Sequence, residues 1–337
     1  MIPARPLASL SLDLDNQWAY MKTHGEPGWE SFPSYLDTVV PRVLQFLKDR
    51  NLNITFFLVG QDAALEKNRE ALAALAAAGH EIGNHSFRHE PWLHLFSEEQ
   101  IDQELALAEE AIEHATGKHP IGFRGPSFSL SLATLRVLHR RGYLYDASTF
   151  PTVIGPLARA YYMRSAKLSG EEKRKLGLLY GGFRDGLRPL NPYRLRLDAG
   201  ELLEIPVTTM PLLRIPIHIS YLHYLTGFSR KFALFYFGLA LRLCRLTRTQ
   251  PSLLLHPLDF LGREDLPEFS FFPGMSLSRG EKLGVLSEVL EMLSAQYSLV
   301  CMETLARSFS RLPVKEVSEA SFSSSSVSKV TSGKPAG

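Results

Sequence analysis

Eight short runs of apolar and β-branched residues recur along this chain, most of them separated by helix-length amphipathic segments. The runs are "ASLSLD", "ITFFLV", "HEIGN", "IGFRG", "YLYDAS", "LLEIPV", "SLLLH" and "SLVCM". Helical periodicity fills Tyr35 to Asp49, Leu65 to Ala78, Glu98 to Thr116, Leu132 to Arg141 and Arg279 to Gln296. Alternation of this kind builds a parallel sheet, because two parallel strands cannot be joined by a tight turn and need a crossover. Ser97, with Gln100 three residues on, forms a capping-box pattern that fixes one helix start. About eight strands with intervening helices predict an α/β barrel related to the (β/α)8 form.

With 337 residues, 45% of them hydrophobic and 21% charged, the chain can bury a full core. Its net charge of +2 gives no electrostatic footprint for nucleic acid, and no nucleic-acid partner is expected. Cys244 and Cys301 sit in apolar surroundings at no metal-ligand spacing, as reduced core thiols do, so a cytoplasmic location is expected. The opening "MIPARPLASLSLDLD" lacks the apolar core of a signal peptide. The longest strongly apolar stretch, Phe232 to Leu241, falls far short of the roughly 20 residues of a membrane span. Residues 1–312 are expected to form a single catalytic barrel, interrupted by an insertion at about 151–199 with a charged part and the irregular "RPLNPYRL". That insertion either shapes a site or is a solvated decoration. The serine-rich tail, residues 313–337, is expected to be disordered.

Placed on these strands, the polar residues gather. Asp13 and Asp15 end the first run, His85 and His89 follow the third, Arg124 the fourth, and His256 with Asp259 the seventh. All stand at carboxyl ends, the rim where a parallel barrel carries its active site. Side chains alternate along a strand, so Asp13 and Asp15 point to one side while Leu14 packs away. Two carboxylates so close would repel one another unless a cation sits beside them. His85 and His89 share a face if the chain turns helical after "GNH". Two imidazoles and one carboxylate make an open tetrahedral set for a divalent metal, most simply Zn2+. His80 falls at a strand start and reads as structural, while His94 and Trp92 read as core packing. Asp259 is expected to cap the turn after "HPL" rather than to touch the His256 ring.

At these residues the chain resembles the polysaccharide deacetylase (NodB-homology, carbohydrate esterase family 4) superfamily. The matching pieces are "SLDLDNQ", "ITFFLVG", "GHEIGNHSFRH", "GFRGPSFS", "GYLYDAST" and "LLLHPLDF", spanning residues 9 to 259. "GHEIGNHSFRH" is the most specific of them. The resemblance implies a distorted (β/α)7-type barrel and a metal-dependent hydrolase that removes an acyl group from an N-acylated sugar. It implies Asp13 as catalytic base, Asp15, His85 and His89 as metal ligands, Arg124 as the arginine that holds the base, and His256 as general acid. Leu14 between the two aspartates departs from the commonest family form. It matches instead the branch that includes aminoarabinose deformylases and allantoinase-like members. The family's aspartate and tryptophan segment before the last motif has no counterpart, since "EIPVTTMPLLRIP" offers only Glu204 in that region.

The substrate is expected to be a saccharide, free or lipid-linked. "FSRKFALFYFGLALRLCRLTR" is unusually apolar, and as a helix it puts Phe232, Phe235, Tyr236, Leu239 and Leu243 on one face, with Arg230, Lys231, Arg242 and Arg245 bracketing it. It is either a crossover helix packed on the barrel or an interfacial helix making peripheral membrane contact. An allantoinase-like amidohydrolase, a deformylase of the same fold and an inactive sugar-binding homologue are the other functional classes open to this sequence.

Overall fold

A computed structural model describes residues 5–155, 185–309 and 316–318. Ten strands form one sheet: β1 (Leu7–Asp13), β2 (Thr55–Leu58), β3 (Glu81–Asn84), β4 (Gly122–Phe123), β5 (Tyr145–Asp146), β6 (Tyr193–Leu197), β7 (Gly200–Glu204), β8 (Ser252–Leu255), β9 (Ser298–Val300) and β10 (Glu316–Ser318). Their order is β10-β6-β7-β5-β4-β3-β2-β1-β8, with β9 also on β1. The run from β7 through β5, β4, β3, β2 and β1 to β8 is seven parallel strands. This is the distorted (β/α)7-type α/β arrangement. The ladders leave it open between β7 and β8, where Thr208 spans the gap. Its N–H donates to the Ser252 carbonyl at 3.0 Å, and its hydroxyl accepts the Ser252 N–H at 2.8 Å.

β1 shows why the chain takes this form. In "LASLSLD" the larger residues Ala8, Leu10 and Leu12, continued by Leu14, pack with helices α2 and α4 in the main core. The alternate residues Ser9, Ser11 and Asp13 are buried too, on the opposite face. A strand covered on both sides reads as nearly unbroken burial, as parallel strands do.

The helices are α1 (Gln17–His24), α2 (Leu36–Lys48), α3 (Gly60–Ala63), α4 (Arg69–Ala77), α5 (Glu98–Thr116), α6 (Leu132–Arg140), α7 (Ile219–Thr226), α8 (Arg230–Leu246), α9 (Arg279–Ser294) and α10 (Met302–Phe309). All five expected helices are present, and the capping box of Ser97 and Gln100 forms at the start of α5. α10 packs Met302, Leu305 and Ala306 against Phe57, Tyr145 and Leu203. Its first amides are held by the Thr55 hydroxyl at 2.7 Å and the Glu81 carboxylate at 2.8 Å, a favourable place for negative charge.

The sequence reading is corrected in two places. The irregular "RPLNPYRL" contains the start of β6, which pairs antiparallel with β7 from Tyr193↔Glu204 to Leu197↔Gly200. Residues 316–318 of the serine-rich tail form β10, parallel to β6. The charged part of the insertion, residues 156–184, and residues 319–337 of the tail lie outside the described residues.

Candidate functional site

Every candidate stands where a strand ends. Asp13 closes β1, and His85, Arg124 and His256 each follow the last residue of β3, β4 and β8. Leu12 pairs with Leu255, so Asp13 and His256 leave neighbouring strands at one level.

Asp15 lies 3.3 Å from His85 Nε2 and 3.0 Å from His89 Nε2, all three side chains being buried. A helix was expected to bring the two imidazoles together; the structure uses a bend instead. Ser86 and His89 take left-handed backbone conformations, φ 63° and 51°, and the rings come to 5.1 Å apart. The bend is pinned at several points. Asn84 Oδ1 accepts the Ser86 N–H at 2.8 Å, and the Ser86 and Phe87 carbonyls accept the Gly60 and Gln61 amides at 2.9 Å. Buried Glu104 accepts the Arg88 N–H at 2.9 Å. Gly60 is obligatory in this contact, because a Cβ there would lie 2.6 Å from the Phe87 ring and 2.7 Å from Ala108 Cα.

The donor set fits a cation. His85 Nδ1 lies 2.6 Å from the Arg124 main-chain carbonyl, which can only accept, so Nδ1 carries the proton. In the neutral ring Nε2 then turns a lone pair toward a carboxylate that has only lone pairs of its own. Asp15 Oδ1 and both His89 nitrogens are buried without a hydrogen-bond partner. Three inward-facing lone-pair donors within 4.8 Å of one another are an unfavourable arrangement that a divalent ion resolves. Burial by itself would raise the Asp15 carboxyl, but His89 and His85 hold it well below the usual carboxylate range. Burial works against protonation of His85, yet Asp13, Asp15 and the Arg124 carbonyl raise it on balance.

On one side of these three stands Asp13, whose Oδ1 accepts from Arg124 Nη1 at 2.7 Å. Arg124 is completely buried. It also donates to the Ser11 hydroxyl at 2.8 Å and the Ala147 carbonyl at 3.0 Å, and stacks 4.4 Å from the Phe57 ring centroid. At the end of the neighbouring strand β8 is half-buried His256, its Nδ1 3.1 Å from the Ser220 hydroxyl. Asp259 does not touch that ring. It caps the turn by accepting the His256 N–H at 2.8 Å and contacts His223 at 3.2 Å. Glu204 is likewise structural. It is fully buried, bound to the Thr149 amide at 2.9 Å, and burial beside Asp146 pushes its carboxyl up. His80, ahead of β3, accepts the Ile54 N–H, and His94 holds the Ser129 hydroxyl at 2.8 Å.

Sequence reasoning missed several supports. Asp62 Oδ1 accepts from Asn16 at 2.7 Å and from the Trp18 indole at 2.9 Å, and Trp18 presents its ring edge-to-face to His89 at 6.4 Å. "NQW" directly after the aspartates was the available signal. Ser220 and His218 lie in a segment from which no site residue was expected. His218 is 6.4 Å from His256 between ring centroids, and burial together with that neighbour lowers it to about 4. A hollow of about 570 Å³ lined by Pro192, Pro211, Arg214 and Arg248 contains none of these residues.

Fold and site together are similar to those of the polysaccharide deacetylases. Residues 28–145 match the polysaccharide deacetylase family model, which bears out the resemblance read from the motifs and takes in His85, His89 and Arg124. A peptidoglycan deacetylase of Helicobacter pylori is 29% identical over 167 residues, 50% of this chain and 52% of that protein. The chain thus spans about half the length of that curated relative. Among solved structures, a Mycobacterium smegmatis protein assigned to the polysaccharide deacetylases superposes with a TM-score of 0.61 at 21% identity, covering 94% of this chain and 95% of that one. One from Pseudomonas aeruginosa superposes with 0.58 at 19% identity, covering 91% and 92%. At such identities these two establish the shared fold.

Proposed function

We propose that this chain is a metal-dependent hydrolase that removes an N-acyl group, acetyl in the first instance, from an amino sugar in a polysaccharide, oligosaccharide or lipid-linked saccharide. The observation that carries the reading is the Asp15, His85 and His89 cluster of unpartnered lone pairs, beside an arginine-held carboxylate and at the same sheet end as an imidazole with one nitrogen already engaged. A divalent cation held there, zinc being the ion this donor set suits best, supplies an acidified water and a polarised carbonyl. Asp13 takes the proton of the attacking water, and Arg124 orients that carboxylate through a charge-assisted bond. His256 gives a proton to the departing nitrogen. Ser220 engages Nδ1 and leaves Nε2 for the substrate. Residues 1–312 are taken as one catalytic unit. Cys244 and Cys301 are both free thiols, which supports a cytoplasmic location.

The test pairs metal analysis of the purified protein with acyl release from N-acetylated oligosaccharides and peptidoglycan fragments. About one divalent ion per chain and acetate release are expected. Formate release would point to a deformylase, and turnover of ureides alone to the allantoinase-like alternative. Saccharide binding with no release from any amide would leave an inactive binding protein and overturn the proposal.

A further inference from the structure

From Ile205 to Leu258 the sequence holds six Lys and Arg residues, Arg214, Arg230, Lys231, Arg242, Arg245 and Arg248, and not one Asp or Glu. The structure shows how that segment is exposed. α8 buries Ala233, Phe237, Ala240, Leu241 and Cys244 against the barrel. The opposite face holds Phe232, Phe235 (66% exposed), Leu239 and Leu246 (79%), with Phe228 (74%) just ahead of the helix. Of the face read from the sequence, Phe232, Phe235 and Leu239 are turned outward, while Tyr236 and Leu243 are half-buried against the core. At about 100° per residue, Lys231 and Arg242 fall within about 20° of each other, beside the apolar stripe. Both are exposed, and neither has an ion pair among the described residues. On the stripe's other flank Tyr236 packs 6.1 Å from Tyr221.

We infer that this face seats the protein on an anionic lipid bilayer, the apolar stripe entering the boundary of the acyl chains and Lys231 and Arg242 lying at the level of the phosphates. With 17 residues α8 is about 25 Å long. Among the described residues no helix is long and apolar enough to cross a membrane, so α8 lies in the interface plane. A second copy is the poorer occupant. An antiparallel two-fold contact through the stripe brings the Lys231 and Arg242 row of each protomer toward that of the other, with no carboxylate in the segment to offset the repulsion. The face also leads to the site. Ring centroids step from Phe228 to Tyr224 at 5.2 Å, Tyr221 at 6.1 Å, His218 at 6.2 Å and His256 at 6.4 Å. A membrane-held substrate would thus meet the cleft at the edge of the bilayer.

The inference stands apart from the hydrolytic reading, and Asp13→Asn is expected to bind vesicles as the unaltered protein does. The full chain is sedimented with phosphatidylcholine vesicles, with and without phosphatidylglycerol. Binding is expected only with the anionic lipid and is expected to fall as salt is raised. Lys231→Gln and Arg242→Gln should each weaken it about fivefold, and Phe232→Ser with Phe235→Ser more than tenfold. Phe235→Trp should show emission quenched by brominated acyl chains. Turnover of a soluble saccharide should be unchanged in the Lys231, Arg242 and Phe232/Phe235 variants. Equal sedimentation of the serine variant, no quenching in Phe235→Trp, or a solution dimer abolished by the serine substitutions would overturn the inference.

Discussion

Replacing Arg124 by Met removes the group that joins the candidate base to the barrel, and its cost can be worked from the contacts. The guanidinium is fully buried and bonds to Asp13, Ser11 and the Ala147 carbonyl. Met restores much of the volume against Phe57 but leaves Asp13 as a buried carboxylate without its cation. Breaking a buried pair from one side costs about 3–5 kcal/mol, a large share of the roughly 5–15 kcal/mol that holds a domain folded. Adding Asp13→Asn removes the stranded charge while leaving Ser11 and Ala147 without their donor. The double variant should therefore be more stable than Arg124→Met alone by about 2 kcal/mol, although two residues are now altered. Urea unfolding at pH 7 of the four proteins in this cycle, with chelator and again with added zinc, measures the coupling. His85 bonds to the Arg124 main chain, not its side chain, so metal content should survive Arg124→Met while turnover falls at least a hundredfold, as loss of an oriented base does. Singles that add to the double within about 0.5 kcal/mol would refute the pairing argument.

Asp13→Asn is expected to abolish turnover with bound metal nearly unchanged, whereas Asp15→Ala, His85→Ala and His89→Ala each lose the metal. Elemental analysis beside acyl-release rates separates the two outcomes. Ser220→Ala frees the His256 ring, and should lower kcat about five- to tenfold, the worth of one neutral hydrogen bond, with KM little altered and the pH profile displaced. Lys282 is buried beneath the turn that follows His256, donating to the Leu258 carbonyl at 2.8 Å, and burial lowers its ammonium to about 8. Between about pH 8 and 10.5 the unfolded chain still holds that proton and the folded chain has released it. Stability should therefore rise with pH across this window by about 3 kcal/mol relative to Lys282→Met, as read by denaturant titration.

The strands were legible because a doubly covered parallel strand is a short apolar run bounded by polar turns, and all eight such runs became strands. β6 escaped notice because "YRLRL" alternates apolar and basic residues after two prolines, and its only neighbours in the chain's sheet are β7 and the short β10. The cluster of Asp15, His85 and His89 was legible from strand ends, but the way His89 returns to His85 was not. Spacing of four suits a helix, whereas the observed bend depends on Gly60, Asn84 and Glu104, which are distant in sequence or silent about conformation. α8 shows the same limit. Its periodicity identified an apolar face, but two faces of that helix are apolar. Only packing decides that Phe237 and Leu241 go inward while Phe235 and Leu239 do not.

The separation of the two aspartates by Leu14 follows from the same alternation that makes β1 a strand. The Leu14 amide still donates to the Phe57 carbonyl at 2.9 Å, one residue beyond the assigned end of β1, and its side chain is 1% exposed in the core shared with α2. The backbone therefore stays extended through this position, and Asp13 and Asp15 must emerge on the same side, one step apart along the strand axis. The lower of the two is level with Arg124 and the upper with the imidazoles. Two like charges are thus kept apart by giving each its own partners, the guanidinium below and the two imidazoles above. Inserting or deleting one residue here would turn one carboxylate into the helix-packed core, and adjacent aspartates would need a local twist that this ladder does not have. The Asp-Leu-Asp spacing is in this sense a structural solution to holding two buried carboxylates on a single regular strand, each against its own partners.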